Sequence, residues 1–187
     1  MVPLTAKEAD SHSEQDAEAR FESVFQEHWS RVFGVLYRLL GDTAEAEDLA
    51  LESFLRLYDH RSRVEGEVGG WLYRVATNLG FNALRARQRR WRYETEAGRL
   101  SIEENTVGDP ADDLEGDQER QLVRAALAVM KPRSAQILVL RHSGLSYAET
   151  ATALGIAPGS MGTLLARAEA EFEACYQTLE GESHASR

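Results

Sequence analysis

A basic segment with interleaved aromatic residues is the part of this sequence best suited to binding another macromolecule. The segment, FNALRARQRRWRY from Phe81 to Tyr93, holds five arginines and no acidic residue, although the 187-residue chain has a formal net charge of -10. An acidic protein that concentrates positive charge in one place is suited to binding a polyanion, and the rings of Trp91 and Tyr93 could stack on unpaired bases. A solvated basic helix end is the alternative interpretation, because arginine complements the dipole at a helix C-terminus.

Composition argues against several classes of protein. A hydrophobic content of 43% supports a packed core, and no apolar run approaches the about 20 residues that a membrane span needs. Cys175 is the single cysteine, and no cysteine or histidine cluster has the spacing of metal ligands. The sequence holds no catalytic-triad pattern and no nucleotide-binding loop. We therefore expect a cytoplasmic protein that is not an enzyme and that uses no metal, cofactor, small-molecule substrate or membrane.

The distribution of charge divides the chain into two modules. Residues 94–119 carry ten acidic residues and one arginine, whereas residues 120–143 carry five basic residues and no acidic one. Such an abrupt change is typical of a connector between folded units. The predicted divisions are a disordered acidic tail at 1–20, an N-terminal helical module at 21–93, an acidic flexible linker at 94–116, a C-terminal module at 117–176 and a disordered tail at 177–187.

Helical periodicity predicts an all-α fold. Apolar residues at helical spacing define a long helix from Phe21 to Leu40, which Gly41 ends. Asp42 begins a capping-box-like start for a second helix at about 43–58. The apolar residues that we expect the second helix to bury are Leu49, Phe54, Leu55 and Leu57.

The same periodicity predicts two polar stripes. Glu45, Asp48 and Glu52 share one face of the second helix, and an ordinary solvated face is the alternative to a site, because no histidine or cysteine accompanies them. A third helix begins at Trp71, after a glycine-rich loop. One face of this helix aligns amides and guanidiniums that can hydrogen-bond base edges and phosphates, namely Asn78, Asn82, Arg85 and Arg89.

The C-terminal module has the pattern of a helix-turn-helix. A first helix is predicted at 117–130. Ser146 can cap a later helix that carries Glu149 three residues on, and Gly155 lies in a tight turn. Pro158 suits the first position of the helix that follows. The predicted architecture is therefore an N-terminal helical bundle and a C-terminal helix-turn-helix.

Three stretches resemble the bacterial RNA polymerase sigma factors of the extracytoplasmic-function (ECF) subfamily, over roughly residues 20–175. AEAEDLALESFLRLY and WLYRVATNLGFNALRARQRR are similar to the second conserved region, and LSYAETATALGIAPGSMGTLLARAEAEF is similar to the fourth. The chain departs from the family pattern at Leu51, where glutamine is usual, and at Asn82, where aspartate is frequent.

The resemblance implies contacts with core RNA polymerase and with promoter DNA. Asp48 and Glu52 would dock on the clamp helices of the β′ subunit, and Leu51 and Leu55 would be their apolar neighbours. The β subunit would be a further contact. The loop before Trp71 would hold a base flipped from the −10 element. The residues that would bind this element are Arg63, Trp71, Asn78, Asn82, Arg85, Arg89 and Arg92.

The C-terminal recognition helix departs from the family more strongly, because the usual basic residues are replaced. Arg141, Ser160, Thr163 and Arg167 remain as groups that could face −35 DNA. The alternative is that this module docks a protein, either an activator or an anti-sigma factor. Its apolar contacts would then be Met161, Leu164, Leu165 and Phe172.

Three functions are compatible with these features. The first is a sigma factor that binds core polymerase, recognises a promoter and assists its opening. The second is a helix-turn-helix regulator that binds duplex DNA without polymerase. The third is a polymerase-binding adaptor whose C-terminal module binds a protein instead of −35 DNA.

Overall fold

The computed structural model describes residues 6–60, 67–96 and 114–185, and they form seven α-helices, one 3-10 turn and no strand. The prediction of an all-α fold is confirmed. None of the described helices combines the length and the apolar character that crossing a membrane requires. The helices are α1 (Ala6–Leu40), α2 (Thr43–His60), α3 (Val68–Glu96), α4 (Leu114–Val129), α5 (Pro132–His142), α6 (Tyr147–Leu154) and α7 (Met161–Ala185), with the 3-10 turn at Pro158–Ser160.

Helices α1, α2 and α3 pack against one another and form the N-terminal module. Gly41 ends α1 in a left-handed conformation (φ 69°), and the Asp42 carboxylate accepts the backbone N–H of Glu45 at 2.8 Å, which caps α2 as predicted. The fully buried side chains of this core include Val32, Val35, Leu36, Leu39, Phe54, Leu72 and Phe81.

Helices α4 to α7 form the C-terminal module, in which α7 packs against α4 and α5. The predicted capping box is confirmed, because the Ser146 hydroxyl accepts from Glu149 N and the Glu149 carboxylate accepts from Ser146 N. Gly155 ends α6 with φ 61°. Pro158 opens a 3-10 turn that leads into α7, so the regular helix begins at Met161, three residues later than the proline.

Both terminal segments that we expected to be disordered continue as helix. Helix α1 already includes residues 6–20, and α7 runs through residue 185. Alanine and glutamate favour helix, and extending a helix that tertiary packing has already nucleated costs less than starting a new one. The linker prediction lies mostly outside the described residues. Its described ends, 94–96 and 114–116, belong to α3 and α4.

The two modules pack against each other. Helix α3 contacts α4, α5 and α6, and α1 contacts α5. The predicted flexible linker left the relative position of the modules open, and the structure joins them along one side of α3.

Glu171 of α7 caps the N-terminus of α5, a role that sequence reasoning missed. Lys131 precedes α5 and has no side-chain cap. The Glu171 carboxylate accepts the Lys131 backbone N–H at 2.7 Å and the Ser134 hydroxyl at 2.8 Å. Burial by itself raises the pKa of Glu171, but these two hydrogen bonds and the charge of Lys131 outweigh it and lower the pKa. This acidic residue of the recognition helix therefore holds the module together.

We expect Glu171→Ala to lower the free energy of unfolding at neutral pH by about 1 kcal/mol, the usual effect of losing a helix cap. The melting temperature should fall by about 2–4 °C. Because the folded-state pKa of Glu171 is lowered, its contribution should vanish as the pH falls below the ordinary glutamate value of 4.5. Urea unfolding at several pH values measures this. Glu173→Ala, on an exposed neighbour, is the control, and equal losses in both variants would contradict the capping role.

Candidate functional site

Helix α2 presents two large apolar side chains to solvent. Leu51 is 46% exposed and Leu55 is 62% exposed, and the exposed carboxylate of Asp48 lies on the same side of the helix. The opposite face is in the core, where Ala46, Ala50, Phe54 and Leu57 are buried. The expectation that Leu55 points inward is wrong, because α2 packs through the side that holds Ala46, Ala50 and Leu57, and Leu55 lies on the opposite side.

The acidic stripe of α2 is shorter than predicted. Glu45 forms an ion pair with Arg87 of α3, so it serves the contact between the two helices. Arg87 also donates to the carbonyl of Leu40 at 3.0 Å and satisfies the end of α1. Glu52 pairs with Arg56 at 2.6 Å, one turn further along α2, and Asp48 has no ion pair with a described residue. The exposed face of α2 thus consists of Leu51, Leu55, Asp48 and Glu52, which we call the α2 face.

The second half of α3 contains the basic and aromatic segment from Phe81 to Tyr93 and exposes several of its residues. Trp91 is 59% exposed and Tyr93 is 70% exposed. Asn82 and Arg89 are exposed as well, whereas Trp71 is half-buried, with its ring 6.4 Å from that of His60. Two predicted site residues cannot be placed: Arg63 lies outside the described residues, and nothing is described of the Arg92 side chain.

The C-terminal module contacts two residues of the predicted DNA-binding stripe of α3, Asn78 and Arg85. Asn78 accepts a hydrogen bond from Gln136 Nε2 of α5 at 2.6 Å. Arg85 is half-buried, and its Nε donates to the carbonyl of Ala128 at the end of α4 at 3.3 Å. The Arg85 guanidinium carbon lies 5.5 Å from the centre of the Phe81 ring, and Nη2 is buried without a hydrogen-bond partner among the described residues. Asn78, Asn82 and Arg89 are exposed, although Asn78 Oδ1 is bonded to Gln136, and Arg85 is the one residue of the stripe that is half-buried.

A polar network joins α1, α3 and α6 on another side of the same interface. The Tyr73 hydroxyl lies 3.1 Å from His28 Nδ1 and accepts from Arg31 Nη1 at 3.5 Å. Arg31 also pairs with Glu149 of α6 at 3.1 Å. Burial raises the pKa of Tyr73, although Arg31 opposes this. Hydrogen bonds from Ser146, together with the charge of Arg31, lower the pKa of Glu149.

The recognition helix exposes the small polar residues that the sequence indicated. Ser160, the last residue of the 3-10 turn, is exposed, and so are Thr163 and Arg167 in the first turns of α7. Arg141 behaves differently, because its guanidinium donates to the carbonyl of Leu145 and lies 4.7 Å from the centre of the Tyr147 ring. Arg141 therefore supports the loop before α6.

The apolar set suggested for protein docking is mostly internal. Met161 is completely buried, and Leu164, Leu165 and Phe172 are partly buried against the core. Their packing within the module accounts for their apolar character, and Met161 is not available to a partner.

Comparison with known proteins supports the same two modules. The family model of Sigma-70 region 2 matches residues 24–90, and that of Sigma-70 region 4 matches residues 120–172. This chain belongs to the Sigma-70 family of sigma factors. The chain is 31% identical to the ECF RNA polymerase sigma factor SigE of Mycolicibacterium smegmatis over 84% of its own length and 62% of the relative's. It is 27% identical to the ECF sigma factor SigW of Bacillus subtilis, over 82% of this chain and 86% of that relative.

Two solved structures share the fold of this sigma factor. One is the sigma factor RpoE in complex with the anti-sigma factor NepR from Bartonella quintana, with a TM-score of 0.52 and 18% identity over 84% of this chain and 97% of that chain. The other is CnrH in complex with the cytosolic domain of CnrY, with a TM-score of 0.56 and 17% identity over 88% of this chain and 94% of that chain. At these identities the likeness supports the fold.

The sigma-factor regions coincide with the surfaces described above. The α2 face and α3 as far as Arg90 lie within the region 2 match, and Trp91 and Tyr93 follow directly after it. The region 4 match begins within α4 and ends within α7, so it includes α5, α6, the 3-10 turn and the first half of α7.

We expect Arg141→Ala to destabilise this sigma factor by about 1–2 kcal/mol, because it removes a charged hydrogen bond and a contact with an aromatic ring. Arg167→Ala is the matched control, since Arg167 is exposed and belongs to the same module. Urea unfolding measures both. Equal effects of the two substitutions would contradict a supporting role for Arg141.

Proposed function

We propose that the chain binds core RNA polymerase, recognises promoter DNA and assists strand opening at the start of transcription. The observation that carries the proposal is the α2 face, on which Leu51 and Leu55 are 46% and 62% exposed beside Asp48. In this role the chain is a cytoplasmic initiation factor and not an enzyme.

The α2 face has the chemistry of a docking surface for a basic, partly apolar partner. Two exposed leucines on successive turns offer apolar area that an interface can bury, and the neighbouring carboxylates of Asp48 and Glu52 favour a partner of opposite charge. Neither leucine supports the core of the chain, because Phe54 and Leu57 already fill the opposite side of α2. The proposed partners are the clamp helices of the β′ subunit, with the β subunit as a second contact.

Promoter binding is assigned to α3 and the loop before it. Arg89 can neutralise a phosphate, Asn82 can hydrogen-bond a base edge, and Trp91 offers a flat ring to an unpaired base. Stacking on Trp91 requires an unpaired base, so this contact favours single-stranded DNA and helps a duplex to open at easily unstacked steps. The full proposed set for the −10 element is Arg63, Trp71, Asn78, Asn82, Arg85, Arg89 and Arg92.

The start of α7 is proposed to contact upstream DNA with few charges. Ser160 and Thr163 can donate to phosphates, and Arg167 is the exposed cation among these groups. Each phosphate that a protein neutralises contributes to its affinity for duplex DNA and steepens the slope of log affinity against log salt concentration by about one. With one exposed cation, this contact should be weak on its own. Arg141 also belongs to the residues proposed to contact upstream DNA, and its guanidinium lies against the Tyr147 ring.

An anti-sigma factor is a further proposed partner. The RpoE and CnrH neighbours were solved with anti-sigma factor NepR and with CnrY, respectively. The α2 face of this chain is an accessible apolar surface that such a partner could cover. A partner bound there would compete with the polymerase for the same leucines.

The test is a pull-down of core RNA polymerase without DNA. We expect Asp48→Arg/Glu52→Arg to reduce the retained polymerase by about tenfold or more, since reversing two interface charges replaces attraction by repulsion. Glu22→Arg/Glu27→Arg is the matched control, because it makes the same change of charge at exposed positions of α1.

Two results would contradict the proposed polymerase contact. One is normal retention of polymerase by the α2 variant. The other is equal loss in the α1 control, which would indicate that net charge and not the α2 face governs binding.

A further inference from the structure

Two aromatic rings meet where α2 ends and α3 begins. His60 is the last residue of α2, and Trp71 lies in the first turn of α3. The centres of their rings are 6.4 Å apart, and the ring planes are inclined by 34°. His60 is exposed and Trp71 is half-buried, so the imidazole is the more accessible ring of the pair.

One hydrogen bond orients the His60 ring. Its Nδ1 lies 2.9 Å from the backbone oxygen of Arg56, one turn earlier in α2. Because a carbonyl oxygen can only accept, Nδ1 carries the hydrogen of this bond. Histidine side chains can make such bonds near helix C-termini, but an asparagine could make the same one. The bond therefore accounts for a polar residue at this position and does not by itself require an aromatic ring beside Trp71.

The two rings leave almost enough room for a third flat group. Aromatic pairs favour centre-to-centre distances of about 4.5–7 Å, and this pair lies near the upper end of that range. A flat base in van der Waals contact with a ring on each side holds those two rings about 7 Å apart, since each contact spans about 3.5 Å. A small rotation of the exposed His60 side chain would therefore admit a base, with little loss of contact between the two rings.

The first turn of α3 holds Trp71 in a fixed place. A β-carbon on Gly69 would lie 2.8 Å from His28 Cε1 of α1, and one on Gly70 would lie 3.3 Å from Thr152 Cγ2 of α6. The backbone before Trp71 is thus in close contact with two other helices. With one ring fixed in advance, only the His60 side chain has to move when a base enters.

The ring pair lies in line with polar groups of α3 that suit a single strand. Asn78 follows Trp71 by seven residues and Asn82 follows Asn78 by four, so the three residues share one side of α3. Asn78, Asn82 and Arg74 are exposed. The amides can hydrogen-bond base edges, and the Arg74 guanidinium can neutralise a phosphate. A strand that lies along this side of α3 passes beside the two rings.

We propose that His60 and Trp71 hold one unpaired base of the promoter strand between their rings, which makes His60 a DNA-binding residue. The inference rests on the proposed function for the identity of the strand. His60 is not among the residues proposed above for the −10 element. Stacking between two rings stabilises a base after it has left the duplex, so His60 favours the open form of the promoter.

Two reciprocal substitutions separate the ring of His60 from its hydrogen bond. His60→Asn keeps a donor for the Arg56 carbonyl and removes the ring, whereas His60→Phe keeps a ring and removes the donor. His142→Asn, at an exposed position of α5, is the matched control. Melting followed by circular dichroism shows whether each variant folds. His60→Ala and His60→Tyr replace the asparagine and phenylalanine variants, respectively, where one does not fold.

The probes are two short fluorescein-labelled strands of equal length, an oligothymidylate and a strand with an abasic sugar at every position. Fluorescence anisotropy measures their binding to the full chain without polymerase. We expect His60→Asn to bind the thymine strand about fivefold or more weakly than the unsubstituted chain, the lower end of what one stacked base contributes. On the abasic strand the two proteins should bind equally, because no base is there to stack. His60→Phe and His142→Asn should stay within about twofold of the unsubstituted chain on both strands.

Three results would overturn the inference. The first is equal binding of the thymine strand by His60→Asn and the unsubstituted chain. The second is an equal loss on the two strands, because the loss would then not come from a base. The third is a loss in His60→Phe as large as in His60→Asn, because the hydrogen bond and not the ring would then matter.

The same measurement separates this inference from the proposed function. If the unsubstituted chain does not bind the thymine strand at all, the proposed promoter contact of α3 fails together with the role of His60. If it binds the strand without any dependence on the His60 ring, only the inference fails. The polymerase pull-down contains no DNA, so its result bears on the polymerase contact alone.

Discussion

Helix α3 packs against other helices on two sides, and the rest of the structure depends on this double packing. Its inner side carries Leu72, Ala76 and Phe81 into the N-terminal core, where α1 and α2 pack against it. Its outer side carries amides and arginines, and α4, α5 and α6 pack there. The inner side is fixed by burial, so the same outer residues always face the C-terminal module. Arg85 is half-buried there, whereas Asn82 and Arg89 stay exposed.

The position of α2 follows from the same helix. The ion pair between Glu45 and Arg87 links α2 to α3, and Phe54 packs into their common core. Because that side of α2 packs in the core, Leu51 and Leu55 on the opposite side are exposed to solvent. The two proposed surfaces of this sigma factor, the α2 face and the promoter-binding side of α3, are thus consequences of one three-helix packing.

Local features of the fold could be predicted from the sequence, because they depend on neighbours in the chain. The caps made by Asp42 and Ser146 and the turn at Gly155 are of this kind. Pairings between distant residues could not be predicted, because periodicity says nothing about which helices meet. The roles of Arg87 and Glu171 depend on partners 42 and 40 residues away, and the pair of Arg31 with Glu149 spans 118 residues.

The affinity of the chain for core RNA polymerase, with and without the two exposed leucines of α2, tests the account most directly. Leu51→Ala/Leu55→Ala removes apolar area from the α2 face and leaves the core of the N-terminal module intact, because both side chains are exposed. The account predicts that the Kd for core polymerase rises about tenfold or more while the melting temperature is unchanged. An unchanged Kd would contradict it, because the α2 face would then contribute nothing to polymerase binding.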